Sequence, residues 1–311
     1  MACLAETTQR MPLLTQRSRA VLLMVCAATL WSMAGVLTRR LESAQGFEVT
    51  FWRSVFAALF VAAALAWQQR RQAPALLRRL GKPGLISGLM WCVMFCCFMI
   101  ALTMTTVANT LIVMSVSPLL TAFLAWIFLR QEIALRTWLA ILVAVGGMVW
   151  MFAGSLAHVG ARELAGMTIA LGVPLAASIN VITLKKAGQA IDLIPAVFLG
   201  GVFSALLMLP LAWPLQTSAH DLGILATLGF FQLGFPCMLM VIAARSLSAP
   251  ELSLLALLEV LLGPIWAWLG AGETPLRETL VGGAIVLTAL VANEVAALRG
   301  GSRALAGNSA A

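Results

Sequence analysis

Tyrosine is absent from this 311-residue chain, charged residues make up only 10% of it, and there are just 2 histidines. Each shortage excludes something. A chain so poor in charge and 61% apolar lies outside soluble globular composition and inside that of polytopic membrane proteins, for which the bilayer is the solvent. His158 and His220 fall between the apolar segments, so a Ser–His hydrolytic pair or a histidine metal site has no histidine to use within the spans. Paired intramembrane aspartates are missing as well, which argues against an enzyme. No glycine loop followed by Lys-Ser or Lys-Thr occurs, so ATP is not expected to drive the protein directly. No Lys/Arg run is interleaved with aromatics, and the net charge of +8 is what basic loops beside membrane spans produce, so nucleic acid is not an expected partner. Of 6 cysteines, Cys26, Cys92, Cys96, Cys97 and Cys237 sit in apolar segments and Cys3 in the polar N-terminus, the pattern of buried free thiols. Neither metal nor any other cofactor is expected.

What the chain has instead is long apolar runs. Crossing a bilayer takes about 20 mostly apolar residues, and ten runs meet or approach that length: 20–37, 51–67, 85–102, 108–129, 135–152, 167–184, 193–213, 222–244, 252–271 and 280–298. The first follows Arg10, Arg17 and Arg19 as in a signal peptide, but it continues past Leu37 with no small-residue cleavage point and reads as a retained span. Residues 1–18 are then a cytoplasmic N-terminal segment and residues 299–311 a disordered cytoplasmic tail. Placing both termini in the cytoplasm leaves Arg39, Arg40, Arg53, Arg162 and Arg277 outside and the other fifteen of the 20 Lys and Arg inside, as the positive-inside rule requires. The chain is expected to be a monomer in the inner membrane.

The sequence also repeats itself. LWSMAGVLTRR (30–40) lies over AASINVITLKK (176–186), RSVFAALF (53–60) over GGVFSALL (200–207), and SPLLTAFLAW (117–126) over EVLLGPIWAW (259–268). Units at 19–155 and 163–298 each hold five spans. Five is odd, so the second unit enters the membrane from the opposite side. Inverted repeats suit alternating access, in which the two halves exchange conformations about a central site. The expected fold is an all-α polytopic membrane protein of ten transmembrane helices in two inverted five-helix repeats.

Polar groups inside spans are few and therefore informative. Glu259 is the one carboxylate deep within a predicted span, a candidate for proton coupling or for pairing with a substrate amine. Its other reading is a brace bonded to Asn109, Asn180 or Gln232. Gly263, one turn on, would let a backbone or a ligand approach. Trp52, Trp67, Trp138, Trp150, Trp213 and Trp268 lie toward span ends and read as an interfacial belt. Trp31, beside Ser32, and Trp91 do not. Trp91 shares a face with Phe95, and Phe231 with Phe235, as candidate aromatic walls for a substrate. Asn109, Ser117, Ser178, Asn180 and Gln232 are candidates for uncharged hydrogen bonds to it, with helix bridging as the alternative. Pro118, Pro174, Pro236 and Pro264 interrupt spans and are candidate gating hinges.

The LWS at 30–32, Arg53 near the start of the second span, SPL at 117–119, the Gly272-Glu273 pair and the doubled unit resemble the drug/metabolite transporter superfamily, with two EamA-type domains. The chain departs from the usual pattern at Glu259-Val260, where Glu-Pro is frequent, and at Arg130-Gln131-Glu132, where Gly-Glu is. Among such proteins it is most similar to bacterial amino-acid exporters, including those for aromatic amino acids. The resemblance implies export of small amphipathic metabolites by alternating access. The alternatives are an exporter of other metabolites or drugs by proton exchange, and a channel.

Overall fold

The computed structural model describes residues 2–38, 40–44, 46–69, 79–151, 153, 160–188, 190–271 and 277–307. The expectations placed on Arg39, Arg70, Arg71, Arg78, His158, Gly272 and Glu273 lie outside them. No strand occurs among the described residues, as expected where lipid offers the backbone no hydrogen bonds and a helix satisfies its own. The helices are α1 (Ala2–Ser32), α2 (Ala34–Thr38), α3 (Gly46–Gln69), α4 (Gly81–Met104), α5 (Val107–Met114), α6 (Ser117–Leu129) and α7 (Leu135–Met151) in the first half. The second half has α8 (Ala161–Ala170), α9 (Gly172–Ala187), α10 (Ile194–Ala212), α11 (Ala219–Thr227), a π-helical turn (Leu228–Gly234), α12 (Phe235–Ala243), α13 (Ala249–Ala256), α14 (Leu258–Ala271) and α15 (Arg277–Gly307). Among the described residues, seven segments are long and apolar enough to cross a membrane, and α7 is a shorter apolar helix.

Packing shows the halves to be inverted. Helices α3 and α10 are the second spans of their units, and they pack against each other along their length. Glu48, at the start of α3, accepts a hydrogen bond of 2.7 Å from the backbone N–H of Gln216, just past the end of α10, and Ser54 meets Ser204 at 2.8 Å. The two helices therefore run antiparallel. Helices α7 and α15 repeat the arrangement: Thr137 near the start of α7 donates to Asn293 in α15 at 3.2 Å, while Gly147 further on faces Gly282. A Cβ on Gly282 would lie 2.6 Å from the Gly147 carbonyl, so this close crossing depends on glycine. The remaining contacts exchange in pairs, α1 against α12 matching α9 against α4, and α1 against α14 matching α9 against α6.

Several spans that read as continuous are broken, and three of the breaks lie just before a proline. A proline removes one backbone donor and crowds the carbonyl four residues earlier. Pro118 stands just after the break at 115–116, Pro174 just after the turn at Leu171, and Pro236 just after the π turn. Pro264 differs. The helix around it stays regular, and the chain breaks at Leu257 instead, between α13 and α14. The repeat explains the position. One offset relates Thr106, which caps α5 by accepting from Asn109, to Ser248, which caps α13 by accepting from Glu251, and the same offset relates Ser117 to Glu259. The tail expected to be disordered is helical through Gly307, continuing α15, because extending a formed helix adds one hydrogen bond per residue and Ala304, Leu305 and Ala306 favour it.

Candidate functional site

Between the two units lies a cavity of about 160 Å³ lined by Trp31, Arg53, Trp91, Phe95, Ser117, Pro174, Gln232 and Glu259, with Met94, Met114 and Met240 filling its apolar sides. Both helix breaks deliver a residue to it. Ser117 opens α6 and Glu259 lies in the first turn of α14, so the pairing drawn from the sequence repeat is a pairing across the cavity.

Trp91 forms the back of the chamber. It is buried, its ring lies 5.8 Å from that of Phe95, and its indole N–H has no partner among the described residues. It fits because Gly200 and Gly88 sit where α4 crosses α10: a Cβ on Gly200 would fall 2.3 Å from the Cβ of Trp91. The second expected aromatic wall is not there. Phe231 is 55% exposed and Phe235 36%, both on the outer surface, with Phe235 edge-on to Phe60. The π turn sets this orientation, sending Gln232 and Leu233 inward. An outward Phe meets lipid at no cost, whereas an outward Gln would leave its amide unbonded.

Four further candidates are bonded within the protein and do not line the cavity. Ser32 donates to the Thr29 carbonyl at 2.7 Å and accepts from the Trp266 indole at 2.8 Å. Asn109 donates to Thr105 at 3.0 Å within its own turn of chain. Ser178 donates to the Pro174 carbonyl at 2.7 Å and meets Thr121 at 3.0 Å, and Asn180 accepts from Ser87 at 2.7 Å. Hydroxyls and amides at such positions bond one another without a ligand, although Asn109 Oδ1 and Asn180 Nδ2 have no partner among the described residues.

Glu259 stands apart from the other interior carboxylates. Asp221 accepts from the backbone N–H groups of Glu42 (3.0 Å), Ser43 (2.8 Å) and Ala44 (2.9 Å) and from the Ser43 hydroxyl (2.7 Å). Glu48 accepts from the backbone of Gln216 and Thr217, each at 2.7 Å, and from the Thr217 hydroxyl. Both are tied off. They lace the loop after α2 and the start of α3 to the loop after α10. Glu259 has no hydrogen-bond or ion-pair partner among the described residues, is only partly buried and faces the cavity. Gln232, one of its possible braces, is engaged elsewhere, accepting from Arg53 Nη2 at 2.6 Å and donating to the Trp31 carbonyl at 3.1 Å. Buried polar groups are as a rule bonded within the protein, so a carboxylate left open to a chamber is the group of this set available to a solute.

Arg53 is a correction to the sequence reading, which counted it among the charges outside the membrane. It is 5% exposed, inside α3, and on the cavity wall. The signal was present in the sequence as a lone cation within an apolar segment. No group of three or more His, Cys, Asp or Glu able to hold a metal occurs among the described residues.

Comparison with known proteins adds three findings. Residues 18–153 and 164–293 each match the EamA-like transporter family. The pseudopaline exporter CntI of Pseudomonas aeruginosa, from strain UCBPP-PA14 and from strain PAO1, is 23% identical over 281 residues, which is 88% of this chain and 94% of that one. A solved structure titled only as the crystal structure of a protein superposes with a TM-score of 0.73 at 16% identity, covering 91% of this chain and 98% of its own, a likeness of fold.

Proposed function

Because this chain belongs to the EamA-like transporter family, we propose that it is a secondary transporter that exports small amphipathic metabolites, amino acids including aromatic ones among them, across the inner membrane. Ten spans in two inverted units, with both termini in the cytoplasm, rock about the central cavity to expose it to each side in turn. The breaks beside Pro118, Pro174 and Pro236 and at Leu257 are the bending points, since they place flexible backbone at the level of the chamber.

The observation that carries this reading is a carboxylate with no hydrogen-bond or ion-pair partner among the described residues, in a chamber with an aromatic back wall. A cavity needs about 10–15 Å³ of such space to hold one water, so about 160 Å³ has room for several waters or a small solute. Trp91 and Phe95 suit an apolar or aromatic side chain, and Glu259 suits an ammonium group or an exchanged proton, with Arg53 as the facing charge. The exporter role of the Pseudomonas relative supports the direction of transport.

Flux of an amino-acid panel in proteoliposomes, with and without an imposed pH gradient, tests it. The parent protein is expected to carry aromatic amino acids and to respond to the gradient, and Glu259→Gln to lose that response. Unchanged flux and pH response in the variant would remove Glu259 from coupling, and flux of no amino acid would remove the substrate class.

A further inference from the structure

Arg53 is a buried cation whose surroundings hold it without satisfying it. Its Nη2 donates to Gln232 at 2.6 Å and its Nη1 to the sulfur of Met99 at 3.1 Å, a weak acceptor, while Nε is buried with no partner among the described residues. Other arginines near the membrane surfaces are paired, Arg17 with Glu251 and Arg245 with Asp192, each at 2.9 Å. Arg53 has no such carboxylate among the described residues. The support around it is nevertheless specific. Gly229 and Gly234 let the π turn pack on α3, and a Cβ on Gly229 would sit 2.8 Å from the Arg53 carbonyl. The bond from Gln232 to the Trp31 carbonyl fixes the amide so that its oxygen, not its nitrogen, meets the guanidinium.

A charge in a membrane interior is expensive, and its usual purpose is to meet an opposite charge on a passing solute. The planar fork of arginine matches a carboxylate with two parallel bonds. Glu259 lies on the same cavity, attracts Arg53, and forms no ion pair with it. A chamber with a cation and a carboxylate that each have no ion-pair partner among the described residues, and with an aromatic wall, therefore has the polarity of an α-amino acid reversed. Resting on the amino-acid reading above, we infer that Arg53 binds the carboxylate of the transported solute while Glu259 binds its ammonium group, so that the cavity selects zwitterions with their side chain against Trp91 and Phe95.

The test is counterflow of labelled phenylalanine into proteoliposomes, with phenylalanine, phenylalaninamide, phenethylamine and 3-phenylpropionate as competitors. Losing one charge-assisted pairing is expected to weaken each one-ended analogue about tenfold to a hundredfold relative to phenylalanine. Arg53→Gln should erase the preference for phenylalanine over its amide, and Arg53→Lys should retain part of it. Where a variant carries too little for flux, the protection each compound gives against thermal unfolding in detergent reads the same ratio. An amide that competes as well as phenylalanine in the parent protein overturns the assignment without any variant having to fold. So does Arg53→Gln with its preference intact, which would make Arg53 a brace for Gln232 alone. Absence of any phenylalanine counterflow would instead overturn the amino-acid reading, and this inference with it.

Discussion

At the scale of the residue, what separates function from bracing here is whether a buried polar group is finished. Asp221 and Glu48 have their acceptor positions filled by backbone and hydroxyl donors, and they join the loop after α2 to the loop after α10. Glu259 and the Arg53 Nε are unfinished in one cavity. Asp221→Asn should therefore lower the thermal midpoint in detergent and leave competitor ratios unchanged, since an amide nitrogen would face backbone donors. Gln232→Leu leaves Arg53 short of its best acceptor and is expected to destabilise by about 1–3 kcal/mol, measurable by denaturant or thermal unfolding. The sequence displayed Glu259, Trp91 and Gln232 openly as polar or large residues in apolar runs. It did not show that Ser32, Ser178 and Asn180 would find partners on neighbouring helices, because that depends on which faces meet, nor that Asn109 would bond Thr105 one turn back.

Among the elements, the breaks carry the argument. The span after Thr106 and the span after Ser248 are capped alike and interrupted alike, and the first turn beyond each interruption supplies Ser117 or Glu259 to the cavity. This was legible, since laying SPLLTAFLAW over EVLLGPIWAW pairs those two residues from sequence alone. The π turn was not. An extra residue in one turn shifts every later side chain around the helix axis, so a face assigned by regular i, i+4 spacing put Phe231 and Phe235 inside when they meet the surroundings. If the breaks bend during transport, Pro118→Ala, which restores a backbone donor, should lower maximal flux several-fold with little change in half-saturation. Steady-state flux against substrate concentration separates the two quantities. The α7–α15 crossing is the rigid counterpart. Gly282→Val drives a side chain against the Gly147 carbonyl, and overpacking of this kind costs about 1–3 kcal/mol, visible as a lowered unfolding midpoint.

For the whole molecule, the antiparallel pairing of α3 with α10 and of α7 with α15 makes each unit the inverse of the other, and the cavity lies where they meet. Such symmetry gives two access routes of related shape, one to each side, of which a carrier opens one at a time. The loop after α2 and the loop after α10 close together on one side, where Ser218 donates its N–H to the Ser43 hydroxyl at 3.1 Å. Cysteines at both positions, Ser43→Cys with Ser218→Cys, are expected to stop transport when oxidised and to restore it on reduction. The most direct measurement of the central claim is uptake of labelled phenylalanine into proteoliposomes preloaded with unlabelled amino acid. A carrier with one alternating site gives saturable uptake that the internal amino acid accelerates. Uptake that rises linearly with concentration and ignores the internal amino acid would contradict it and describe a channel.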